Sequence, residues 1–443
     1  MDTKGVGSLT VTENDLQGDP LDLFETPVPN NEYVDGDVQE YLTNMTNQEG
    51  PFEFEIRTDG RRYLDLPQAR LFGELKITKK DDTPLGEDDN VALTNLAACG
   101  IFKQIEVSIN EVGVSDSTSA SFAYKSVIET ILNFGTDAKN SHLRTSLYFK
   151  DEAGKHESTA LTGNTTNSGY LARKKMSAKS KKIQFCTPIF NDFIQTKTMI
   201  PQACRLKIKF IRQSDAFVLM ADEDNYKIHL SNFRLYMRHV KINEEDITNH
   251  RKYFSSDYMA TFPVTRTQIK TFVLGKGRNS ETLPQIFKGH LPRSIIFCMV
   301  SQKAYNGDIK KNPYNFQHFN MEEFAIRVNG VRIPGYTLKY DFKNGLVMKG
   351  YRNLYDNIGY KTDNSGSITY EEYINGFTFN AFDLSPDGCN GFHLHKSVLG
   401  VIDVEINFSE VLEDHVTLLA YANYDNNVFM DKHTNVTTDY GRE

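Results

Sequence analysis

Gly366, Ile368 and Glu372 fall at the sixth, eighth and twelfth places of KTDNSGSITYEE (361–372), the spacing of a twelve-residue calcium loop. Such a loop needs a carboxylate at its first place, and Lys361 there repels a dication. Gly376 and the FTFNAF that follows read as strand rather than as an exiting helix, so the stretch is expected to be a polar surface loop. His393 and His395 in FHLHK would share one face of a strand and could offer two imidazoles to a metal. No third ligand stands nearby, and ordinary strand residues are the expectation. The carboxylates of ADEDNY (221–226) and Glu371-Glu372 are local clusters, whereas glycoside hydrolysis needs two carboxyls placed across a cleft. GKGRN (275–279) lacks the order of a P-loop, and GxSxG, HExxH and GxGxxG are absent. No catalytic, cofactor-binding or metal-ligating residue is assigned, no cofactor is expected, and the chain is not read as an enzyme.

One segment is strongly charged. LARKKMSAKSKK (171–182) carries Arg173, Lys174, Lys175, Lys179, Lys181 and Lys182 without an acid. Self-repulsion would hold it off the surface as a solvated loop; its functional readings are a nuclear-import signal or a patch facing phosphates. It follows GNTTNSG (163–169), so 151–182 is expected to be a long exposed insertion.

The elements that would position these residues are mostly strands. The 443 residues are 39% hydrophobic and 24% charged, with 29 Phe, 22 Tyr and no Trp, a bias that favours strands over helices and argues against broad disorder. The net charge of −8 and a pI near 5.8 exclude a chain that binds nucleic acid over its whole surface. Five scattered cysteines without CxxC spacing predict reduced thiols in an intracellular compartment. The polar, acidic N-terminus has no apolar signal region and no Gly at position 2, and no apolar run is long enough to span a membrane. The sequons at Asn44, Asn164, Asn407 and Asn435 are therefore expected to be unused.

Residues 1–20 read as a loose arm. Period-2 alternation or short apolar runs then mark strands at PFEFEI (51–56), LFGELKIT (71–78), IEVSINEVGV (105–114), RLKIKFI (205–211) and YKIHLSNFRLYMRHVKI (226–242). Others follow at TFVL (271–274), SIIFCMV (294–300), FAIRVNGVRI (324–333), GFTFNAF (376–382), VIDVEINF (401–408) and VTLLAYANY (416–424). SFAYKSVIETILNFG (121–135) is the best helix, with Ser121 as N-cap and Gly135 at C′. Strands without alternating helices predict antiparallel β layers, as in sandwiches or jelly rolls.

The pattern occurs twice. LPQARLF (66–72) matches LPRSIIF (291–297), an offset of 225 from Leu66 to Leu291. The hairpin asparagines Asn110 and Asn329 are 219 apart. Tyr124 of AYKSVIETILNFG and Tyr351 of GYRNLYDNIGY are 227 apart. RLKIKF leading into AFVLMA resembles DVEINF leading into VTLLAYA, with Phe210 and Phe408 198 apart. The order of the matches predicts a duplicated β domain: a first unit over 21–245 with the basic insertion near 151–182, a connector at 246–262, and a second unit over 263–443. In the two hairpins, Ile109 should pair with Val112 and Val107 with Val114, then Val328 with Val331 and Ile326 with Ile333. Asn329-Gly330 suits the turn. Glu111 disfavours the positive φ that such a turn demands, so the first loop is expected to relax or shift register around Gly113.

PLDLFETPVP, YLDLPQARLFGELKIT, AYKSVIETILNFGTDAKNSHL, KNPYNFQHFNMEEFAIRVNGVRIPGY and NGFTFNAFDLSPD together resemble the hexon-like major capsid proteins of Polinton (Maverick) elements and adintoviruses, from about residue 20 to the end. The resemblance implies an all-β double jelly roll, two tandem antiparallel sandwiches with a few short helices in loops. It implies a homotrimer forming a pseudo-hexagonal capsomer of an icosahedral shell around double-stranded DNA. Its partners would be itself, penton and minor capsid proteins, with packaged DNA met at most indirectly and no membrane anchor. Its place would be the virion, and the host nucleus or cytoplasm during assembly. The arm at 1–20 would order on assembly. The alternative is a β-sandwich carbohydrate-binding or adhesive module that forms only a small oligomer, and a less favoured one is a β-rich hydrolase with scattered carboxylates.

Overall fold

The computed structural model describes residues 32–43, 49–57, 62–115, 121–201, 204–358, 366–386, 388, 395 and 398–440. The arm expected over 1–20, the start of the 361–372 loop, His393 and Asn44 lie outside them. Strands dominate, as the composition predicts. Eight build the sandwich of the first half: β1 (Tyr33–Leu42), β2 (Phe52–Arg57), β3 (Tyr63–Lys79), β4 (Phe102–Ile109), β5 (Val112–Gly113), β6 (Ile183–Pro188), β7 (Arg205–Arg212) and β8 (Tyr226–Ile242). They form two antiparallel sheets in the orders β1-β8-β3-β6 and β2-β7-β4-β5. The next eight are β9 (Ala260–Leu274), β10 (Ser280–His290), β11 (Ser294–Ser301), β12 (Met321–Val328), β13 (Val331–Lys339), β14 (Asn380–Asp383), β15 (Leu399–Phe408) and β16 (Val416–Met430). Their orders, β9-β16-β11-β14 and β10-β15-β12-β13, repeat the first pair strand for strand, and Val436–Thr438 adds a short fifth strand beside β16. Each half is a jelly roll.

Alternation explains the layers. FEFEIR in β2 buries Phe52, Phe54 and Ile56 and exposes the residues between them. Across the first sandwich Phe52 stacks on Phe233 with ring centroids 5.0 Å apart, and across the second Phe297 meets Phe324 at 5.1 Å. One apolar core runs through both halves.

The repeat holds element by element, with two corrections. Both hairpins join the fourth and fifth strands of their roll, and RLKIKF and DVEINF lie in the seventh strands, β7 and β15. AFVLMA, however, is no counterpart of VTLLAYA: it forms a helical turn at Asp215–Val218 and a three-residue strand, Leu219–Ala221, paired with Val91–Leu93. LPQARLF lies inside the third strand of the first roll and LPRSIIF runs into that of the second, yet the matched Phe72 is half-buried beside Tyr236 while Phe297 faces the core. A one-residue difference in alignment exchanges the faces of a strand, so the likeness in letters is not a likeness in position.

The hairpin pairings are those the alternation predicts: Ile109 with Val112, Val328 with Val331 and Ile326 with Ile333, while Val114 N–H donates to Val107 O at 2.9 Å. The expected slip around Gly113 does not occur. Asn110 and Glu111 take φ of 47° and 71°, and the Arg205 guanidinium holds the Glu111 carboxylate at 2.6 Å.

Helix α1 (Phe122–Asn133) follows the first hairpin, with Ser121 at its N-cap. Gly135 does not close it. It lies in extended backbone and opens the next helical turn, Thr136–Asn140. The expected exposed insertion at 151–182 is a packed one: α2 (Ser168–Ser177), capped by Asn167, buries Tyr170 and Arg173. The polar connector folds as α3 (Glu244–Ser255), where Asn243 accepts from Asp246 N–H at 2.7 Å and three acids fill the first turn. Strand β9 begins well before TFVL; Pro263 is tolerated in it because β9 is an edge strand. After the second hairpin come α4 (Met348–Asn357) and α5 (Tyr370–Ile374). Among the described residues no helix is long and apolar enough to cross a membrane.

Candidate functional site

The sequence-flagged residues scatter over the molecule. In the basic segment, Arg173 is buried and pairs with Asp151 at 2.6 Å, also donating to Leu93 O at 2.7 Å and Phe149 O at 2.5 Å. It is a structural cation and leaves the patch. Lys174 is half-buried against Asn90, while Lys175, Lys179, Lys181 and Lys182 are exposed. Lys179 pairs with Glu87 at 2.6 Å, and Lys182 stands 3.4 Å from Glu74. Glu372, the twelfth place of the calcium spacing, caps α5 in a box with Thr369 and holds Lys150 at 2.7 Å. His395 pairs with Asp425 at 3.0 Å, which also takes Arg293 at 2.9 Å. Among the described residues no three His, Cys, Asp or Glu side chains converge as a metal set.

Polar side chains do converge at the seam between the two rolls. Helix α1 is buried from Phe122 to Leu132. Its Tyr124 ring packs on Tyr305 at 5.7 Å and Tyr314 at 6.0 Å from the second roll. Lys125 pairs with Glu129, one turn on, and with Asp192 at 2.9 Å. From the second roll, Tyr421 Oη–H donates to Glu129 Oε1 at 2.9 Å, and Thr267 donates N–H and Oγ1–H to Asp192 at 2.8 and 3.0 Å. Burial lifts the Glu129 carboxyl above its usual range. At Lys125 burial opposes the charge, but Asp192 and Glu129 outweigh it and keep the ammonium protonated.

A second buried cluster centres on Asp151. It accepts from Arg173, from Asn167 at 2.8 Å and from Asn312 of the second roll at 3.0 Å. Asn312 also donates to His156 O at 2.9 Å. A buried network whose members are all matched fixes one arrangement of the two rolls.

A groove of about 820 Å³ is lined by residues of both rolls, among them His156 and His318. His156 is buried, packs on Phe377 at 4.9 Å, and neither ring nitrogen has a hydrogen-bond partner. Burial lowers its pKa. Gly376 makes room for it: a Cβ there would stand 2.1 Å from the His156 ring, at a φ of +121°. His318 stacks on Phe342 at 4.0 Å and accepts from Asn320 N–H at Nδ1, and burial pushes its pKa down to about 4.

Two outer faces contrast with the seam. On the second roll, Thr267, Ile269 and Tyr421 of β9 and β16 are buried beneath the first roll. On the first roll, the equivalent face of β1 and β8 is open, with Val38 64% and Leu42 69% exposed. Helix α4 buries only Gly350, Asn353 and Leu354, and its Arg352–Asp356 pair (2.7 Å) lies at the surface. Sequence reading located α1 and the weaker α4 but missed the seam. The i, i+4 spacing of Lys125 and Glu129, the charged residues of a largely apolar helix, is the one signal it left.

No family model matches the chain. A Caenorhabditis elegans protein described only as uncharacterized is 25% identical over 419 residues, 90% of this chain and 95% of its own. Among solved structures, a chain of the Sputnik virophage has a TM-score of 0.65 at 11% identity, covering 100% of this chain and 95% of its own. The mavirus major capsid protein has a TM-score of 0.56 at 11% identity, covering 99% and 96%. The Faustovirus major capsid protein has 0.55 at 9%, covering 91% and 92%. With the two sheet pairs repeated strand for strand, these likenesses establish the fold as a double jelly roll.

Proposed function

We propose that this chain is a hexon-like major capsid protein of the Polinton (Maverick) or adintovirus kind. Three copies would form a pseudo-hexagonal capsomer, and capsomers would tile an icosahedral shell around double-stranded DNA. The observation that carries the reading is the double jelly roll itself, shared end to end with the mavirus and Faustovirus major capsid proteins. Duplication gives one subunit two similar lateral sides, and three subunits present six. The ion clusters at the seam support the same reading, since they spend their charges on locking the rolls together rather than on an open cleft. Penton and minor capsid proteins would be its other partners, within the virion and, during assembly, in the host nucleus or cytoplasm. In the basic segment, the exposed Lys175 and Lys181 would meet a phosphate or an import receptor, joined by Lys179 and Lys182 once these leave their surface pairs with Glu87 and Glu74.

Light scattering and negative-stain microscopy of the purified protein test the proposal. Trimers or shell-sized particles are expected. A well-behaved monomer at micromolar concentration would overturn it and favour a small binding module instead.

A further inference from the structure

The chain contains one contact between jelly rolls, and the duplication places the unused halves of the same contact on its two outer sides. Within the chain, α1 of the first roll lies on the outer face of β9 and β16, where Tyr421 seals the Lys125–Glu129 pair. The hairpin of β4 and β5 reaches past the end of β16, with Asn110 Nδ2–H donating to Thr434 O at 2.8 Å and Tyr440 Oη–H donating to Val114 O. The first roll therefore gives a helix and a hairpin tip, and the second gives the face of its first and eighth strands.

The second roll has the corresponding helix and hairpin; Tyr351 of the helix packs on Tyr370 and Tyr373 of its own roll, and the side that carries Met348, Arg352 and Asp356 is exposed. The offset of 227 that relates Tyr124 to Tyr351 also sets Arg352 on Lys125 and Asp356 on Glu129. The i, i+4 ion pair is thus present in both helices. In α1 its side chains are 11% exposed, and in α4 they are 66% and 43% exposed. Next to them Met348 is 62% exposed, and Val331 at the hairpin tip 66%. The first roll, in turn, has the same receiving face, also uncovered. Its β1 and β8 present Val38 and Leu42 beside Arg234, Tyr236 and Arg238.

We infer that α4 and the β12–β13 hairpin of one copy seat on the outer face of β1 and β8 of the next copy, repeating between chains the contact that α1 and the β4–β5 hairpin make within the chain. The contact is head to tail, so it uses a different surface on each partner and builds a ring if the rotation closes. Burying Val38, Leu42, Met348 and Val331 supplies the apolar centre, and Arg352–Asp356 moves from solvent into an interface, as Lys125–Glu129 already has. The inference rests on the trimeric reading above and assigns its surfaces.

Two variants test it. Val38→Glu with Leu42→Glu disables the receiving face, and Met348→Glu with Arg352→Glu disables the helix; all four positions are exposed, so the fold should keep its melting temperature. By light scattering at micromolar concentration, each variant alone is expected to weigh one chain. An equimolar mixture is expected to weigh two, because one intact helix meets one intact face and neither end can continue. Val411→Glu, at an exposed site off both faces, should leave the wild-type assembly unchanged. Variants that each still assemble like the wild type would overturn the assignment of surfaces. Variants that fail to rescue each other as a two-chain species would overturn the head-to-tail arrangement. A wild-type chain that never exceeds one copy would instead overturn the trimer on which the inference stands.

Discussion

Breaking the Arg173–Asp151 pair leaves a charge buried without its partner, a change that costs about 3–5 kcal/mol. Arg173→Ala should therefore lower the denaturant midpoint sharply, while Lys181→Ala, on the same segment but exposed, should stay within about 0.5 kcal/mol of wild type. In the sequence these two cations look alike. What separates them is a carboxylate 22 residues away and two carbonyls brought in by packing, and no local pattern records that. The histidines of the groove carry a pH prediction. His318 has a folded pKa near 4 against an ordinary 6.5, and His156 is shifted in the same direction. A depressed pKa means that the stability is complete above 6.5 and is lost as pH falls toward the folded value, because the unfolded chain takes up the proton first. Unfolding free energy should therefore fall between pH 6.5 and 5 by up to about 1.4 kcal/mol per pH unit on account of His318, with His156 acting in the same direction. His318→Gln should flatten that slope in urea titrations; an unchanged slope would remove the histidine from the account.

Turn chemistry governs the hairpins at the next scale. Both carry positive φ at their two central residues, but only the second has glycine, at Gly330 with φ of 81°. Holding a non-glycine residue such as Glu111 in the left-handed region costs about 1–2 kcal/mol, whereas its exposed pair with Arg205 returns about 0.2–1 kcal/mol. Glu111→Gly should thus be neutral to stabilising by up to about 1 kcal/mol, and Gly330→Val destabilising by about 1–2 kcal/mol, in thermal melts. These hairpins were legible because alternation and turn residues are local. The strand list was less complete. β1 is exposed on nearly every residue, so it lacks the alternation that marks a half-buried strand. β10 contains Pro284 and Gly289 and changes register between Leu283 and Phe287, which breaks its period. The helix α3 was hidden for a different reason: nine of its twelve residues are polar or charged, and Ile247, its one buried residue, packs on Tyr63, Val240 and Ile242.

At the scale of the whole molecule the question is whether two rolls make one cooperative unit. Their repetition was visible in sequence as ordered matches; their mutual dependence was not, because the seam joins residues as far apart as Glu129 and Tyr421. Separating the rolls would uncover Tyr305, Tyr314 and Phe316 around Tyr124. At about 25 cal/mol per Å², three such rings represent on the order of 10 kcal/mol of lost burial. It would also leave Glu129, Asp192 and Asp151 short of their donors from the second roll. Either loss is comparable to the whole stability of a domain, so neither roll should persist once the other unfolds. Calorimetry of the full chain should therefore show one transition. Tyr421→Phe, which removes a single donor from the buried carboxyl, should move that transition down as a whole by about 1–3 kcal/mol. Two resolved transitions, or a shift confined to one of them, would show that each roll stands alone and that the seam is a contact rather than a core.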